Sequence, residues 1–532
     1  MKRLIILATI LLIFAAPATA QVAKKSLFSK KAKVTDTVPG AKRLVEVLNK
    51  VQKSYVTTPN TDSLSEIAVR SMLHSLDPHS VYIAARDVTR ANESLQGNFE
   101  GVGIAFSLLH DTVVVAEVIA GGPSEKVGVA VGDKIIRIDG VNATGDSANN
   151  AFVARHLRGK KGTVAVVDIL RGRDTLNFHI TRDKIPIHSI DLSFMEDDSI
   201  GYIALLRFAR TSHAEFKKAV ADLQKQGMKS LILDLRGNSG GFLDIAYALS
   251  NEFIDAGKLI VYQEGRTVKR QDYRASRRGS FRKGRLVILI DENTASASEI
   301  VSGAVQDWDR GTIIGRRSYG KGLVQTLFTL QDGAQIRLTT ARYYTPSGRC
   351  IQKPYTDYDN ELRNRYKHGE MFSSDSIHFP DSLKFHTAAG RTVYGGGGIM
   401  PDIFIPLDTT PSSKFYQECR RKGLLSKFAV EWADAHRSDT TISTFDTYLN
   451  NYDTLGIDSA FVAYAAAKGI VRDSFPQLQD TNVIRFNNNF THLQLQALIA
   501  DRLFGKGHYY RIMKSQDAFY QAAVATLRKS EL

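Results

Sequence analysis

The chain has 532 residues, of which 43% are hydrophobic and 23% are charged, the composition of an ordinary globular protein. This length exceeds what one hydrophobic core supports, so we expect about two to four domains. The two cysteines, Cys350 and Cys419, are too few for a disulfide framework, and the sequence does not determine whether they pair.

The formal net charge of +15 would suit a nucleic-acid-binding protein, but the first residues indicate another class. Basic residues, an apolar run and Ala18-Thr19-Ala20 predict a secretory signal peptide at residues 1–20. No cysteine stands directly after this site, where a lipid-anchored protein would need one, and no later apolar run is long enough to span a bilayer. We therefore predict an exported, periplasmic protein without a nucleic-acid partner and with at most peripheral membrane contact. The basic stretch at residues 266–285 is then expected to be a solvated loop.

Apolar residues recur at helical spacing in two stretches of residues 39–87, which we predict to be a helical N-terminal region. After the second stretch, Asp77 and His79 have the residue types of a catalytic pair. A turn around Pro78 explains these two residues better than catalysis does.

Short strands separated by glycine turns characterise residues 97–182. Gly101, Val102, Gly103 and Ile104 precede a strand rather than a helix, which argues against a nucleotide-binding loop. The amides of such a loop, beside an exposed strand edge, can bind the terminal carboxylate of an extended peptide. Taken alone, the glycines could equally close a hairpin.

A strand–helix–strand pattern at residues 201–235 predicts a crossover unit with parallel strands, as in α/β proteins. The glycine-rich loop that follows, residues 236–241, lies at the carboxyl end of a strand, where open α/β sheets bind ligands. The same residues are compatible with a simple turn before a helix.

The stretch Leu286–Gln325 contains the candidate chemistry. Ser296 and Ser298 lie between a predicted buried strand and a helix, where unpaired helical amides can stabilise an anion. Each serine could equally be a helix N-cap, and spacing does not choose between them. Lys321 lies between two glycines, and burial could lower its pKa from about 10.4 into the range of a general base. The alternative is a solvated loop lysine.

The runs Thr294–Ile300 and Tyr319–Gln325 resemble the signature of the carboxyl-terminal processing peptidases, also called tail-specific proteases. The resemblance implies that Ser296, the first serine of the SerAlaSerGlu run, is the nucleophile. It also implies that Lys321 is the general base and that Gln325 orients the lysine.

The same resemblance implies an oxyanion hole formed by the amides of Gly241 and Ala297, with Gly240 as the alternative to Gly241. It implies that residues 97–182 are a PDZ domain that binds substrate through the Gly101–Ile104 loop. Asp307 matches a further position of the family, and we interpret it as structural support.

The implied fold class is α/β multidomain, with a PDZ domain embedded before an α/β peptidase core. The predicted boundaries are a signal peptide at 1–20, a helical N-terminal region at 39–87, a PDZ domain at 97–182, a peptidase core at 184–409 and a helical C-terminal extension at 410–532. An insertion at about 351–387 departs from the shorter family pattern and could cover the cleft or lie at its edge. The extension could form a homo-oligomer, bind an adaptor or guard the active site.

We therefore predict a serine endopeptidase that acts on proteins or peptides with free C-termini and needs no metal or organic cofactor. One alternative is a catalytically inactive PDZ scaffold or adaptor. A second is a Ser-His-Asp protease, whose histidine would be one of four residues outside any triad motif: His79, His110, His156 and His188.

Overall fold

The computed structural model describes residues 38, 40–109, 111–145, 148–276, 279–410, 412–475, 481–505 and 507–529. The predicted signal peptide and His110 lie outside the described residues. The chain divides after Val69 into two compact units. All residues discussed below as a functional site belong to the second unit.

The strands are β1 Val81–Ile83, β2 Asn98–Gly101, β3 Ile104–Leu109, β4 Thr112–Val118, β5 Lys134–Ile138, β6 Val141–Asn142, β7 Val164–Arg171, β8 Asp174–Thr181, β9 Asp183–Pro186, β10 Ile190–Met195, β11 Ile200–Leu205, β12 Ser230–Asp234, β13 Leu259–Glu264, β14 Gln271–Arg274, β15 Arg285–Ile290, β16 Thr312–Gly315, β17 Leu323–Thr329, β18 Gln335–Tyr344, β19 Lys384–His386, β20 Thr392–Tyr394 and β21 Ile403–Phe404.

The helices are α1 Ala41–Ser54, α2 Thr61–His74, α3 Val88–Gln96, α4 Pro123–Lys126, α5 Asn150–Leu157, α6 Ser212–Lys225, α7 Leu243–Ser250, α8 Ala297–Asp307, α9 Glu361–Lys367, α10 Lys414–Arg421, α11 Leu424–His436, α12 Phe445–Asn451, α13 Ile457–Ala467, α14 Thr481–Phe504, α15 His508–Met513 and α16 Ala518–Arg528. The predicted mixture of helices and strands is confirmed.

A six-stranded sheet, in the order β10-β11-β12-β15-β16-β21, forms the centre of the core. Strands β11, β12, β15, β16 and β21 run parallel, and β10 is antiparallel at one edge. β12 and β15 are covered on both faces, which explains their nearly unbroken apolar runs. The loops after β12, β15 and β16 therefore leave from the same edge of the sheet, where α/β proteins place their sites.

Alternate residues of these strands pack into two separate cores, one on each face of the sheet. Leu233 and Ile288 pack in a cluster with apolar residues of α6, α7 and α8. Ile232, Val287 and Leu289 point to the opposite face and pack in a cluster with α16. The central sheet therefore needs helices from distant parts of the chain to bury both faces.

The last helix, α16, supplies the cover of the second face. Its residues Phe519, Tyr520 and Leu527 are buried in that cluster. Directly before the helix, Asp517 pairs with Arg236, the first residue of the loop after β12, at 2.7 Å between Oδ2 and Nη2. The end of the chain therefore both completes the core and holds the loop after β12.

A second, antiparallel sheet has the strand order β1-β18-β13-β14. β17 also pairs with β18, along residues 335–342. Val81–Ile83 pair with Ile336 and its two neighbours, so these residues belong to the second sheet and not to the predicted helical region. The prediction failed here because a three-residue strand has no periodicity of its own and forms only where a partner strand is present.

Residues 97–182 form a further sheet in the order β3-β4-β5-β7-β8, with β6 paired to β5. β3 is therefore an edge strand of this sheet. Helix α5 packs on the same small core, to which Val153 and Leu157 contribute buried side chains.

The extension forms a separate helical cluster from α10 to α15. Its helical content confirms the prediction for this region. Cys419 is buried there, and both Cys419 and Cys350 are free thiols. No helix of the described residues is long and apolar enough to cross a membrane.

The basic stretch that we expected to be a loop contains a strand. β14 pairs with β13, and Asp272 on β14 forms ion pairs with Arg270 and Arg274. The stretch therefore contributes an edge strand to the second sheet, with one carboxylate paired to two of its arginines.

Because Leu527 is buried between α16 and the central sheet, we predict that Leu527→Ala lowers the free energy of unfolding by about 2–3 kcal/mol. The measurement is urea unfolding of the full chain in a Trp432→Phe background, where Trp308 of the core is the remaining tryptophan. Ala525→Gln, on the exposed face of the same helix, should stay within about 0.5 kcal/mol. Equal effects of the two changes would show that α16 does not cover the sheet.

Candidate active site

Ser296 lies at the turn between β15 and α8 and has an unusual backbone conformation. Its φ is 56° and its ψ is −112°, a strained combination for a residue other than glycine. The Ser296 amide donates to Glu299 Oε2 at 2.7 Å, and its carbonyl accepts from the Tyr343 hydroxyl at 3.0 Å. Because the backbone is fixed from both sides, the side chain is presented to a cavity that it lines.

The cavity has a volume of about 750 Å³ and lies between the loops after the parallel strands and the second sheet. Its lining includes Arg210, Ser239, Gly240, Gly241, Phe242, Ser296, Ala297, Lys321, Leu323, Gln325, Arg337 and Tyr343. The structure thus brings together all five residues predicted for catalysis and for the oxyanion hole.

Lys321 follows β16 and directs its amine toward Gln325 of β17. Lys321 Nζ donates to Gln325 Oε1 at 3.1 Å, and Gln325 Nε2 donates to the carbonyl oxygen of His79. The His79 carbonyl needs a donor, so it determines which end of the Gln325 amide faces the lysine. Burial is the main cause that lowers the pKa of Lys321, and the positive charge of Arg337 lowers it further.

Glu299 joins the serine turn to the lysine loop. Its carboxylate is fully buried and accepts from the amides of Ser296, Gly320 and Lys321 and from the Ser318 hydroxyl, at 2.5–2.9 Å. Burial raises the pKa of Glu299, while the four donors oppose that shift. A single side chain therefore connects the backbone of the candidate nucleophile to the backbone of the candidate base.

The loop after β12 approaches Ser296 closely enough to require glycine. A Cβ at Gly240, whose φ is 99°, would lie 2.9 Å from both Ser296 Cβ and the Ala297 nitrogen. The Gly240 amide donates to Asn238 Oδ1 at 2.9 Å, so it is already engaged. Phe208 pairs with the same loop: its amide donates to the Gly240 carbonyl, and its carbonyl accepts from the Phe242 amide. The Gly241 amide takes part in neither of these two hydrogen bonds. These contacts favour Gly241 over Gly240 as an oxyanion donor.

Ala297 is the first residue of α8, so its amide has no intrahelical acceptor. Gly241 and Ala297 line the same cavity as Ser296. Two backbone amides near the serine can stabilise a developing oxyanion without any side chain.

Ser298, the competing serine, has a supporting position. It is fully buried, and its hydroxyl donates to the carbonyl oxygen of Asn238 at 2.9 Å. It does not line the cavity, whereas Ser296 does. Ser298 therefore holds the glycine loop against α8.

Asp307, at the end of α8, also has a supporting role. Its carboxylate forms an ion pair with Arg349 at 2.7 Å, and both side chains are buried. Neither residue lines the cavity. This position agrees with the interpretation of Asp307 as structural support.

His79 contributes a backbone carbonyl, a role that the sequence did not reveal. Asp77 Oδ1 accepts from the His79 and Ser80 amides at 2.8 Å, which forms the expected turn. The His79 ring contacts the Tyr358 hydroxyl, and burial together with the charge of Lys321 lowers the His79 pKa to about 4.

No histidine lines the cavity, so a Ser-His-Asp arrangement has no support among the described residues.

The insertion does not cover the cavity, because none of residues 351–387 lines it. Instead, its Lys353 lies 3.9 Å from the Tyr319 ring centre and 3.1 Å from Glu361. Together with the Tyr358–His79 contact, these interactions place the insertion against the lysine loop. It contacts the loop without lining the cavity.

The loop Gly101–Ile104 lies apart from this cavity. Gly101 ends β2, the Val102 side chain is buried, and Ile104 begins the edge strand β3. Ile104 and Phe106 are partly buried beside the small core of residues 97–182. The structure thus separates the candidate peptide-binding loop from the candidate catalytic residues.

Comparison with known proteins agrees with this architecture. Residues 199–362 match peptidase family S41, residues 101–181 match the PDZ domain model, and residues 415–505 match a family of unknown function. These matches define a serine-type peptidase with an embedded PDZ domain and polypeptide substrates, and they confirm the predicted fold class.

One similar protein is the carboxy-terminal-processing protease of Bartonella bacilliformis, 36% identical over 376 residues that cover 69% of this chain and 84% of that protein. Another is the carboxy-terminal processing protease CtpA of Bacillus subtilis, 33% identical over 58% of this chain and 66% of the relative. The chain belongs to the carboxy-terminal-processing protease family. A solved photosystem II D1 C-terminal processing protease is 25% identical, with a TM-score of 0.36 over 69% of this chain and 93% of the other.

Because Glu299 connects the turn of Ser296 to the loop of Lys321, the two candidate catalytic segments, we predict that Glu299→Gln lowers kcat by about 10- to 100-fold. The amide offers one acceptor where the carboxylate offers two, and a hydrogen bond to a charged group contributes about 1.5–3 kcal/mol. The measurement is peptide hydrolysis by folded protein, checked by circular dichroism. Glu215→Gln is the matched control, because Glu215 accepts two backbone amides away from the cavity. Similar losses in both variants would contradict a specific role of Glu299.

Proposed function

We propose that this protein is an exported serine endopeptidase that uses a Ser296–Lys321 pair and selects substrates by their C-termini through its PDZ domain. The observation that carries the catalytic part is the hydrogen bond from Lys321 to Gln325 in the cavity that Ser296 lines. Burial lowers the pKa of Lys321, so more of the amine is neutral at a given pH than in a solvated lysine, as a general base requires.

A neutral Lys321 has two N–H groups and one lone pair. One N–H donates to Gln325, so the lone pair can accept the proton of the Ser296 hydroxyl. Ser296 Oγ then attacks the scissile carbonyl carbon, and the oxyanion is stabilised by the amides of Gly241 and Ala297. Lys321 returns the proton to the leaving amine, and water releases the acyl group by the same steps.

The selection of substrates by their tails rests on the edge strand of the PDZ domain. An extended peptide can pair with β3, while its terminal carboxylate binds at the Gly101–Gly103 loop. Ile104 and Phe106 offer an apolar site for the last side chain. The inactive-scaffold alternative has less support, because the serine, the lysine, the glutamine and both amides line one cavity.

Export rests on the sequence of residues 1–20, and a periplasmic location follows from it as a proposal. Oligomerisation or adaptor binding through residues 410–532 stays a prediction.

Ser296→Ala and Lys321→Ala should each lower kcat by at least about 10³-fold, since the two residues act as a unit. Ser298→Ala loses one neutral hydrogen bond and should lower kcat by only about 2- to 10-fold. The assay is cleavage of an unfolded protein by the purified full chain.

In the same assay, activity should rise with pH, because the neutral lysine is the active form and its pKa lies below the ordinary 10.5. For the two serines, an active Ser296→Ala protein together with an inactive Ser298→Ala protein would reverse the assignment of the nucleophile.

Amidation of a substrate's C-terminus should lower kcat/KM by about 10- to 100-fold, because the amides of the PDZ loop then lose a charged acceptor. The measurement compares free-acid and amidated forms of one long peptide. Ile104→Asp should abolish the difference by repelling the carboxylate, whereas Thr175→Asp on the opposite edge strand should preserve it. Equal cleavage of both forms by the unmodified protein would refute tail recognition.

A further inference from the structure

Arg337 lies in the wall of the catalytic cavity, in the middle of the second sheet. In the strand register it is opposite Val81 of β1 and Leu327 of β17. Its side chain lines the cavity together with Gln325 and Tyr343, and it is partly buried. No step of the proposed mechanism uses this arginine.

The guanidinium of Arg337 has no hydrogen-bond or ion-pair partner among the described residues. Other buried arginines of the core are paired: Arg349 with Asp307 at 2.7 Å and Arg365 with Glu361 at 2.5 Å. Arg210, which lines the same cavity, is paired with Asp244. Arg337 therefore differs from these residues in that its charge is partly desolvated and not neutralised.

An arginine stays protonated in a protein, so burial without a partner leaves a charge that is costly to maintain. The planar guanidinium has several N–H donors arranged to bind both oxygens of a carboxylate. If a polypeptide enters this cavity, a carboxylate of that polypeptide is the group that the guanidinium can bind.

We propose that Arg337 is a specificity-determining residue that binds a substrate carboxylate within the catalytic cavity, from an acidic side chain or from the terminus of a short peptide. This inference rests on the proposed function, since it assumes that the scissile segment occupies this cavity.

Arg337 also influences the candidate base. The charged or titratable groups that act on Lys321 are Arg337 on β18, Glu299 on α8, and Asp77 and His79 before β1. Arg337 lowers the pKa of Lys321, whereas Glu299 and Asp77 raise it. Loss of the Arg337 charge should therefore shift the rise of activity to higher pH, a change that a merely structural role would not produce.

The experiment uses the full chain and fluorogenic peptides with amidated C-termini that differ only by Glu or Gln at successive positions around the scissile bond. At one position the unmodified protein should prefer Glu by about 10- to 100-fold in kcat/KM. Arg337→Gln should bring this ratio close to one, and Arg337→Lys should keep part of it. Because both peptides are measured with the same protein at the same pH, any effect of the substitution on Lys321 changes both values equally and leaves their ratio unchanged.

A second set of peptides, short and free of acidic residues, compares free-acid and amidated termini. If Arg337→Gln changes the ratio between free-acid and amidated peptides but not the ratio between Glu and Gln peptides, Arg337 binds the terminal carboxylate. Arg210→Gln is the control, because its partner Asp244 already satisfies the guanidinium, and both ratios should stay as they are. Ratios that Arg337→Gln leaves unchanged in both sets would overturn the proposal.

Binding separates this inference from the proposed catalysis. Labelled forms of both peptide sets, the Glu and Gln pair and the free-acid and amidated pair, are titrated into Ser296→Ala protein with and without Arg337→Gln, and fluorescence anisotropy is measured. A preference for Glu that depends on Arg337 supports the carboxylate site even if Ser296 proves not to be the nucleophile. No such preference, for internal or terminal carboxylates, refutes the site even if Ser296 and Lys321 prove catalytic.

Discussion

The arrangement of the active site depends on one buried carboxylate. Glu299 accepts from the amides of Ser296, Gly320 and Lys321, so it links the turn after β15 to the loop after β16. A buried anion is stable only when its donors are in place, because an unsatisfied charge in the interior is costly. The turn that contains Ser296 and the loop that contains Lys321 are therefore expected to form together.

The electrostatics of the cavity follow from what surrounds this carboxylate. Glu299 is fully buried and does not line the cavity, whereas Lys321 and Arg337 do. The charge of Arg337 and the burial of Lys321 both favour the neutral amine. The cavity thus combines a lysine suited to accept a proton with an arginine suited to bind an anion, and the second sheet brings the arginine there.

The last helix of the chain belongs physically to the peptidase core. It covers one face of the central sheet, and the preceding Asp517 pairs with Arg236 at the start of the glycine loop. Tyr510 stacks on Tyr202 in the same region, with 5.1 Å between ring centres. Residues more than 270 positions apart therefore hold the loop that is proposed to stabilise the oxyanion.

The sequence by itself determined the parallel α/β unit, the strand-to-helix position of Ser296 and the glycine-flanked lysine, because each depends on local pattern. The Ser296–Glu299 spacing is also a local helix-start signature, from which the bond of Glu299 to the Ser296 amide could have been predicted, but not its bonds to the Gly320 and Lys321 amides. Only the tertiary structure decided the buried position of Ser298, the contact of Gln325 with the His79 carbonyl and the unpaired state of Arg337. These features join segments far apart in the chain, and no periodicity or spacing records which distant side chains share a cavity.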